Sequence, residues 1–287
     1  MTSCKITDLI KQTEKFSYSF EVTPDVTVED INNLNVEPVF FSVTWHAKNH
    51  KCEDLDIAPL RMVKFLRSKQ HPVLLHLTCD MLKKDYLDQV LALLQEQNVC
   101  NLLVMLGEKY DAATSDFKSA RELVAYIRAS TGNYFCLGVA GSPDQTGEKL
   151  LNLKEKIDSG ADFILTQAFF EKEVFNNFAK TCKEIGITVP IIPGVFLFEN
   201  LKQLNGFINL CKVKVSQDLL EKLKNKEESS ITGQEIVKKL LQDLIADNEI
   251  KHFHFFTLNK LSMSICHVIV LRLCDIAKQN NKDSCEN

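Results

Sequence analysis

Short apolar runs rich in β-branched and aromatic residues alternate along this chain with longer stretches whose apolar positions recur every three or four residues. The short runs predict eight strands, at residues 17–22, 39–45, 72–78, 101–106, 134–140, 162–167, 189–194 and 252–258. Most are apolar throughout rather than alternating, as in Val73-Leu74-Leu75-His76-Leu77-Thr78, which suits parallel strands covered on both faces. The longer stretches predict helices. Leu87, Val90, Leu91 and Leu94 form one stripe, and shorter stripes run through Leu123, Val124 and Ile127, through Leu150, Leu153 and Ile157, and through Val174, Phe178 and Cys182.

Thr27 with Asp30 three residues on, and Ser115 ahead of Phe117, are N-cap candidates, because a side-chain oxygen there accepts a free amide of the first turn. Residues 199–248 are too long for one crossover, and polar breaks at 215–217 and 227–233 divide them into about three helices. They read as an elaborated connection inside a single domain spanning 1–287, with a frayed polar tail at 279–287.

Eight β-then-α units with no Gly-x-Gly-x-x-Gly after any strand favour a closed (β/α)8 TIM barrel over an open doubly wound sheet. In that fold the chemistry sits at the C-terminal ends of the strands and in the loops that follow. Those ends carry Glu21, Thr44, Trp45, His46, His76, Thr78, Gly107, Glu108, Gly141, Ser142, Thr166, Gln167, Gly194, Thr257, Leu258 and Asn259.

Charge narrows the partners. Basic residues number 34 against 38 acidic ones, a formal net charge of −4, spread without a basic block, which argues against nucleic acid and membrane surfaces. The amino end has no apolar leader, and no stretch approaches the roughly 18 apolar residues of a membrane span; a cytoplasmic protein is expected. The ten cysteines contain no Cys-x-x-Cys pair. Cys100, Cys136 and Cys266 sit in apolar runs and are expected to be buried free thiols in a reducing compartment, not zinc ligands.

Among the strand ends, Glu21 interrupts Tyr18-Ser19-Phe20-Glu21-Val22. An ionised carboxylate there loses hydration, so Glu21 is either a general acid with a raised pKa or a structural partner of a nearby Lys; the sequence weighs the two evenly. His76 reads as a ligand contact or, more commonly for such a residue, a satisfied core histidine. Trp45, the only tryptophan, suits stacking on a flat ring or a core role. His252 and His254 alternate on one strand as zinc ligands can, but no third ligand accompanies them at metal spacing, and no Gly-x-Ser-x-Gly elbow supplies a nucleophile. The mixed charges of residues 221–228 read as a solvated helix face.

In chain order, Ser19-Phe20-Glu21, Ser42-Val43-Thr44-Trp45-His46, His76-Leu77-Thr78-Cys79, Val139-Ala140-Gly141, the block from Gly160 to Phe170, Ile191-Ile192-Pro193-Gly194 and His254-Phe255-Phe256-Thr257-Leu258-Asn259 together resemble the catalytic domain of methylenetetrahydrofolate reductase over nearly the whole chain. The resemblance implies a (β/α)8 barrel that binds FAD, takes hydride from NAD(P)H in a ping-pong cycle and reduces 5,10-methylenetetrahydrofolate to 5-methyltetrahydrofolate, a step of one-carbon metabolism and methionine biosynthesis. It implies Glu21 as the general acid that helps open the folate's five-membered ring. It further implies Thr44, Trp45, His76, Gly107, Glu108 and Lys156 as cofactor contacts and Gln167, Phe256 and Lys260 as folate contacts. It calls for no metal and leaves a homo-oligomer open.

The departures from the family pattern gather on the flavin side. Arg-Gly-Asp is replaced by Leu106-Gly107-Glu108, Tyr-Pro by Ser142-Pro143, and the next loop is a shorter Asp144-Gln145-Thr146-Gly147. The double proline after the acid is reduced to Val22-Thr23-Pro24-Asp25; Phe256 stands for a tyrosine and Lys260 for an arginine, which keeps charge but loses a bidentate fork. The sequence ends where full-length animal members continue into a regulatory domain, which predicts no inhibition by S-adenosylmethionine. A second reading therefore stands beside the reductase: a flavin-poor barrel of the same family that binds folate or regulates without catalysis.

Overall fold

The strand-like runs pair side by side in sequence order and close on themselves. In the computed structural model, which describes residues 5–13, 16–47, 54–107, 110–224, 232–248 and 250–261, the order begins α1 (Ile6–Lys11), β1 (Ser17–Val22), α2 (Val28–Asn32), β2 (Phe41–Val43), α3 (Ala58–Ser68), β3 (Val73–Thr78), α4 (Lys84–Glu96) and β4 (Asn101–Met105). It continues through α5 (Ala120–Thr131), β5 (Cys136–Gly141), α6 (Glu148–Asp158), β6 (Phe163–Ala168), α7 (Lys172–Glu184), β7 (Ile191–Phe196), α8 (Leu201–Cys211), α9 (Gln217–Lys224), α10 (Gly233–Asn248) and β8 (His252–Phe256). The eight strands form one closed barrel, every neighbouring pair parallel, β8 pairing back onto β1. This is the (β/α)8 TIM barrel that the alternation predicts.

Successive strand side chains point to opposite faces, and here both faces are buried. Outward-facing Tyr18, Phe20, Val43, Leu75, Leu77, Val104, Leu137 and Ile164 pack in one hydrophobic shell with the helix stripes, among them Leu87, Val90, Leu91 and Leu94 of α4 and Leu123, Val124 and Ile127 of α5. Inside the barrel, Phe40, Leu74, Leu103, Cys136, Phe163, Leu165 and Ile192 form a second cluster that Ile6 of α1 plugs from below. Asn101 holds that plug: its Oδ1 accepts the Ile6 N–H at 2.9 Å while its Nδ2 donates to the Val73 carbonyl at 3.1 Å. A Cβ at Gly138 would stand 2.2 Å from the Phe163 ring, so a glycine is what lets that ring fill the floor. With this end filled, the opposite, C-terminal end of the strands is the mouth.

Thr27 and Asp30 make the expected capping box on α2. Ser115 does not cap a helix: α5 begins five residues later under Ser119, whose Oγ accepts the Glu122 N–H, while Ser115 Oγ takes the Phe117 N–H inside the preceding turn. The long connection holds α8, α9 and α10, as its breaks predict. β2 is shorter than its apolar run because the chain leaves the ladder once the Thr44 N–H has reached the Val22 carbonyl at 3.1 Å. β7 instead runs on to Phe196, pairing with β8 at Gly194↔His254 and Phe196↔Phe256.

Cys79, Cys136 and Cys182 are buried free thiols, their pKa values pushed up by burial to about 12, 11 and 11. Cys100 corrects the free-thiol expectation, being disulfide-bonded; apolar surroundings in sequence say nothing about which sulfur the fold brings beside it. Cys266 and residues 279–287 lie outside the described residues. Among the described residues, no helix is long and apolar enough to cross a membrane.

Candidate active site

Above the floor the barrel interior turns polar, because β1 and β8 place Ser17, Ser19, His252 and His254 on their inward faces. Ser17 Oγ lies 2.8 Å from His252 Nδ1, Ser19 Oγ 3.0 Å from His252 Nε2 and 2.7 Å from His254 Nδ1, and Ser42 Oγ 3.1 Å from His254 Nε2. Ser17's remaining neighbours are acceptors: the Lys251 carbonyl, and Thr13 Oγ1, whose own proton goes to the Ile10 carbonyl. Ser17 therefore donates towards the floor and accepts from His252 Nδ1–H, and the same logic carried along the chain puts the proton on Nδ1 of both imidazoles. Burial pushes His252 down to about 3 and His254 well below its ordinary value, so both are neutral. All four of their ring nitrogens are engaged by serines, and among the described residues no group of three or more His, Cys, Asp and Glu is placed to hold a metal ion.

The next inward position on β1 after Ser17 and Ser19 is Glu21. Burial raises its pKa to about 8. Oε2 of Glu21 stands 4.0 Å from Nε2 of His76, an imidazole pushed down to about 3 by burial, with His46 nearby lowering it further. The pair is thus a protonated acid beside a neutral base, at a separation too long for a hydrogen bond.

Around them, Thr44 Oγ1, His76 Nε2, Thr78 Oγ1 and Asp80 Oδ1 are buried with no hydrogen-bond partner. The four residues are only 7, 5, 6 and 5% exposed. Buried polar atoms are nearly always satisfied, so four together mark a surface shaped for the polar edge of a ligand. Gly107 completes that wall. Its φ is +104°, and a Cβ there would come within 2.9 Å of Asp80 Cβ and 3.5 Å of Thr78 Cβ.

On the far side, β6 and β7 lose register: Leu165 pairs with Ile192 but Ala168 with Gly194, one residue more on β6. The bulge is pinned by Thr166 Oγ1, which accepts the Gly194 N–H at 2.9 Å, and by Gly194 itself, where a Cβ would lie 2.2 Å from the Thr166 carbonyl oxygen. Gln167 lies within this irregular stretch, on the same face as the inward Phe163 and Leu165. At the ends of β7 and β8 a cavity of about 210 Å³ is lined by Phe196, Gln203, Phe207, Phe256 and Lys260, among others. Phe196 and Phe207 stack at 3.8 Å, and Phe256 meets His254 edge-on at 5.5 Å, joining this cavity to the serine–histidine column.

Of the residues expected at the site, Glu21, Thr44, His76, Gly107 and Gln167 sit at one mouth, and Phe256 and Lys260 line its side cavity. Trp45 is 2% exposed and packs in the large hydrophobic cluster. Lys156 lies in the last turn of α6, half-buried, its pKa lowered by burial with the Cys79 thiol nearby acting the other way. Glu108 lies outside the described residues. At the family's departures, Leu106 is 41% exposed, and the loop after β5 satisfies itself. Ser142 bonds Gln145 and Asp144, and Asp144 pairs with Lys214 at 2.9 Å. Residue-by-residue reading missed Asp80, Phe196, Gln203 and Phe207; only Asp80 left a signal, as the third member of the alternating polar row His76, Thr78, Asp80.

A closed (β/α)8 barrel with a largely buried carboxyl, its pKa raised to about 8, at the C-terminal mouth has the architecture of a barrel enzyme. Residues 5–270 match the family model described as methylenetetrahydrofolate reductase, and the chain belongs to that family. A probable methylenetetrahydrofolate reductase (NADH) of Oryza sativa subsp. japonica is 30% identical over 299 residues, covering 91% of this chain and 49% of the relative. Methylenetetrahydrofolate reductase 2 of Schizosaccharomyces pombe is 31% identical over 299 residues, covering 89% of this chain and 45% of the relative. The chain thus spans about half the length of these relatives. The 5,10-methylenetetrahydrofolate reductase of Pectobacterium carotovorum, 28% identical over 278 residues, is covered to 91% of its length, against 90% of this chain. Among solved structures, an uncharacterized protein from Clostridium thermocellum that binds two copies of 5-methyl-5,6,7,8-tetrahydrofolic acid shares the fold at a TM-score of 0.62 and 14% identity, over 92% of this chain and 98% of that one.

Proposed function

We propose that the chain reduces 5,10-methylenetetrahydrofolate to 5-methyltetrahydrofolate, with FAD held in the mouth and NAD(P)H as electron donor. The observation that carries this reading is Glu21, a carboxyl kept protonated near neutral pH by burial beside an uncharged His76. Relatives named for this reduction, and a barrel of the same fold that binds 5-methyltetrahydrofolate, support the substrate class.

Glu21 donates its proton to a ring nitrogen of the folate, which opens the five-membered ring. His76, with a pKa near 3, neither withdraws that proton nor repels the cation that forms. A bound flavin supplies the hydride chemistry. Thr44, His76 and Thr78 would hold its edge through their unpartnered atoms, Gly107 would let the backbone approach, and the family resemblance adds Glu108 and Lys156 as contacts. Gln167 and Phe256 bound the folate ring, and Lys260 meets the carboxylates of its tail.

A flavin-poor, folate-binding barrel is the competing reading, favoured by exposed Leu106 and by the self-satisfied loop at Ser142. The absorption spectrum of the purified protein and anaerobic titration with NAD(P)H separate the two. A flavin band bleached by NAD(P)H and restored by methylenetetrahydrofolate is the expected result. A colourless protein that takes up no added FAD rejects the reductase.

A further inference from the structure

We infer that Asp80 is a flavin-binding residue whose carboxylate takes a hydroxyl of the cofactor's ribityl chain; the inference rests on the reading of this mouth as a flavin site. Asp80 lies two residues beyond the end of β3, yet it is only 5% exposed, and its Oδ1 has no hydrogen-bond partner. A carboxylate oxygen withdrawn from water without a donor is among the most costly groups a fold can hold. The fold nevertheless builds this position deliberately: Gly107, at φ +104°, has no Cβ because one would lie 2.9 Å from Asp80 Cβ and 3.5 Å from Thr78 Cβ. Thr78 and Asp80 thus face the same stretch of backbone, and both present an unpartnered oxygen there.

The geometry also selects the donor. The reacting ring must sit at the level of Glu21 and His76, and Asp80 stands four residues further along the chain, in the turn that follows β3. A ligand anchored by its ring beside His76 therefore reaches Asp80 with its substituent. The hydroxyls of a polyol are donors that a carboxylate binds, whereas a diphosphate, itself an anion, is repelled. Asp80 accordingly meets the neutral ribityl segment, and the site is polarised so that the diphosphate must turn away from β3.

A residue retained for a ligand and one retained for structure differ in sign when the ligand is removed. Flavin-depleted Asp80→Asn and Asp80→Ala proteins are melted and then titrated with FAD, riboflavin and lumiflavin, which lacks the hydroxyl chain, by quenching of flavin fluorescence. The expected result is roughly ten- to a hundredfold weaker binding of FAD and riboflavin by Asp80→Ala, the worth of one charged hydrogen bond. A smaller loss is expected with Asp80→Asn, which keeps an acceptor oxygen, and lumiflavin affinity should not change. Flavin-free melting temperatures should be unchanged or higher, since Oδ1 makes no hydrogen bond that the variants would lose. Unchanged FAD affinity, a lowered flavin-free melting temperature in Asp80→Asn, or an equal loss for lumiflavin overturns the assignment. Failure of the unaltered protein to bind any of the three flavins instead rejects the flavin reading, and the role of Asp80 with it.

Discussion

The Glu21 carboxyl lies 4.0 Å from Nε2 of His76 without forming an ion pair, because burial holds the acid protonated to about pH 8 and the imidazole neutral down to about pH 3. Two groups that would attract in water are each kept neutral by desolvation. The proton on Glu21 is therefore available to a substrate near neutral pH.

Glu21→Gln removes that proton and nothing else of comparable size. It should slow reduction of methylenetetrahydrofolate by about 10²- to 10⁴-fold, the usual worth of a positioned acid, while reduction of the flavin by NAD(P)H continues. Stopped-flow measurement of the two half-reactions checks this, and equal losses in both would count against the acid role.

Stability should peak just below pH 7. Folded Glu21 keeps a proton that the unfolded chain releases above its ordinary 4.5, so its contribution falls as pH rises from 4.5 to 8. His76, His252 and His254 act in the opposite direction, since the unfolded chain binds protons below 6.5 that the folded protein refuses. Three imidazoles outweigh one carboxyl in acid, and the carboxyl alone acts above the imidazole range. Thermal melts from pH 5 to 9 should show this maximum, and Glu21→Gln should abolish only the alkaline decline.

The serine–histidine column makes a separate demand. Ser42→Ala leaves His254 Nε2 without its 3.1 Å partner and should cost about 1–3 kcal/mol, as for other orphaned buried groups. Urea denaturation at pH 7 measures the loss, which a Ser42→Thr variant should largely restore by returning the hydroxyl.

Flavin affinity should be limited by the family's missing groups. Leu106→Arg supplies a cation at a 41% exposed position, and Ser142→Tyr supplies an aromatic wall after breaking the Ser142 link to Asp144. Together they should tighten FAD binding about tenfold or more, one charged hydrogen bond alone being worth roughly 1.5–3 kcal/mol. Equilibrium dialysis of both proteins is decisive; stoichiometric retention by the unaltered chain with no gain in the variant would refute the role given to these positions.

The sequence alone determined the strands, their order and the helical breaks of residues 199–248, because hydrophobic periodicity is written by neighbours along the chain. It also put Glu21, His76 and Gln167 at strand ends, hence at one mouth once the barrel was inferred. Whether Glu21 was an acid or half of an ion pair stayed even, since that depends on desolvation by groups from other strands, and only the closed barrel supplies it. The bulge between β6 and β7 depends on Gly194 fitting against the Thr166 carbonyl. The core placement of Trp45 follows from which face of the chain turns outward after β2. The unpartnered Oδ1 of Asp80 lies where that residue packs against Gly107, and the disulfide at Cys100 comes from a meeting of sulfurs. Each joins positions that the local pattern treats as unrelated, so tertiary packing decided them.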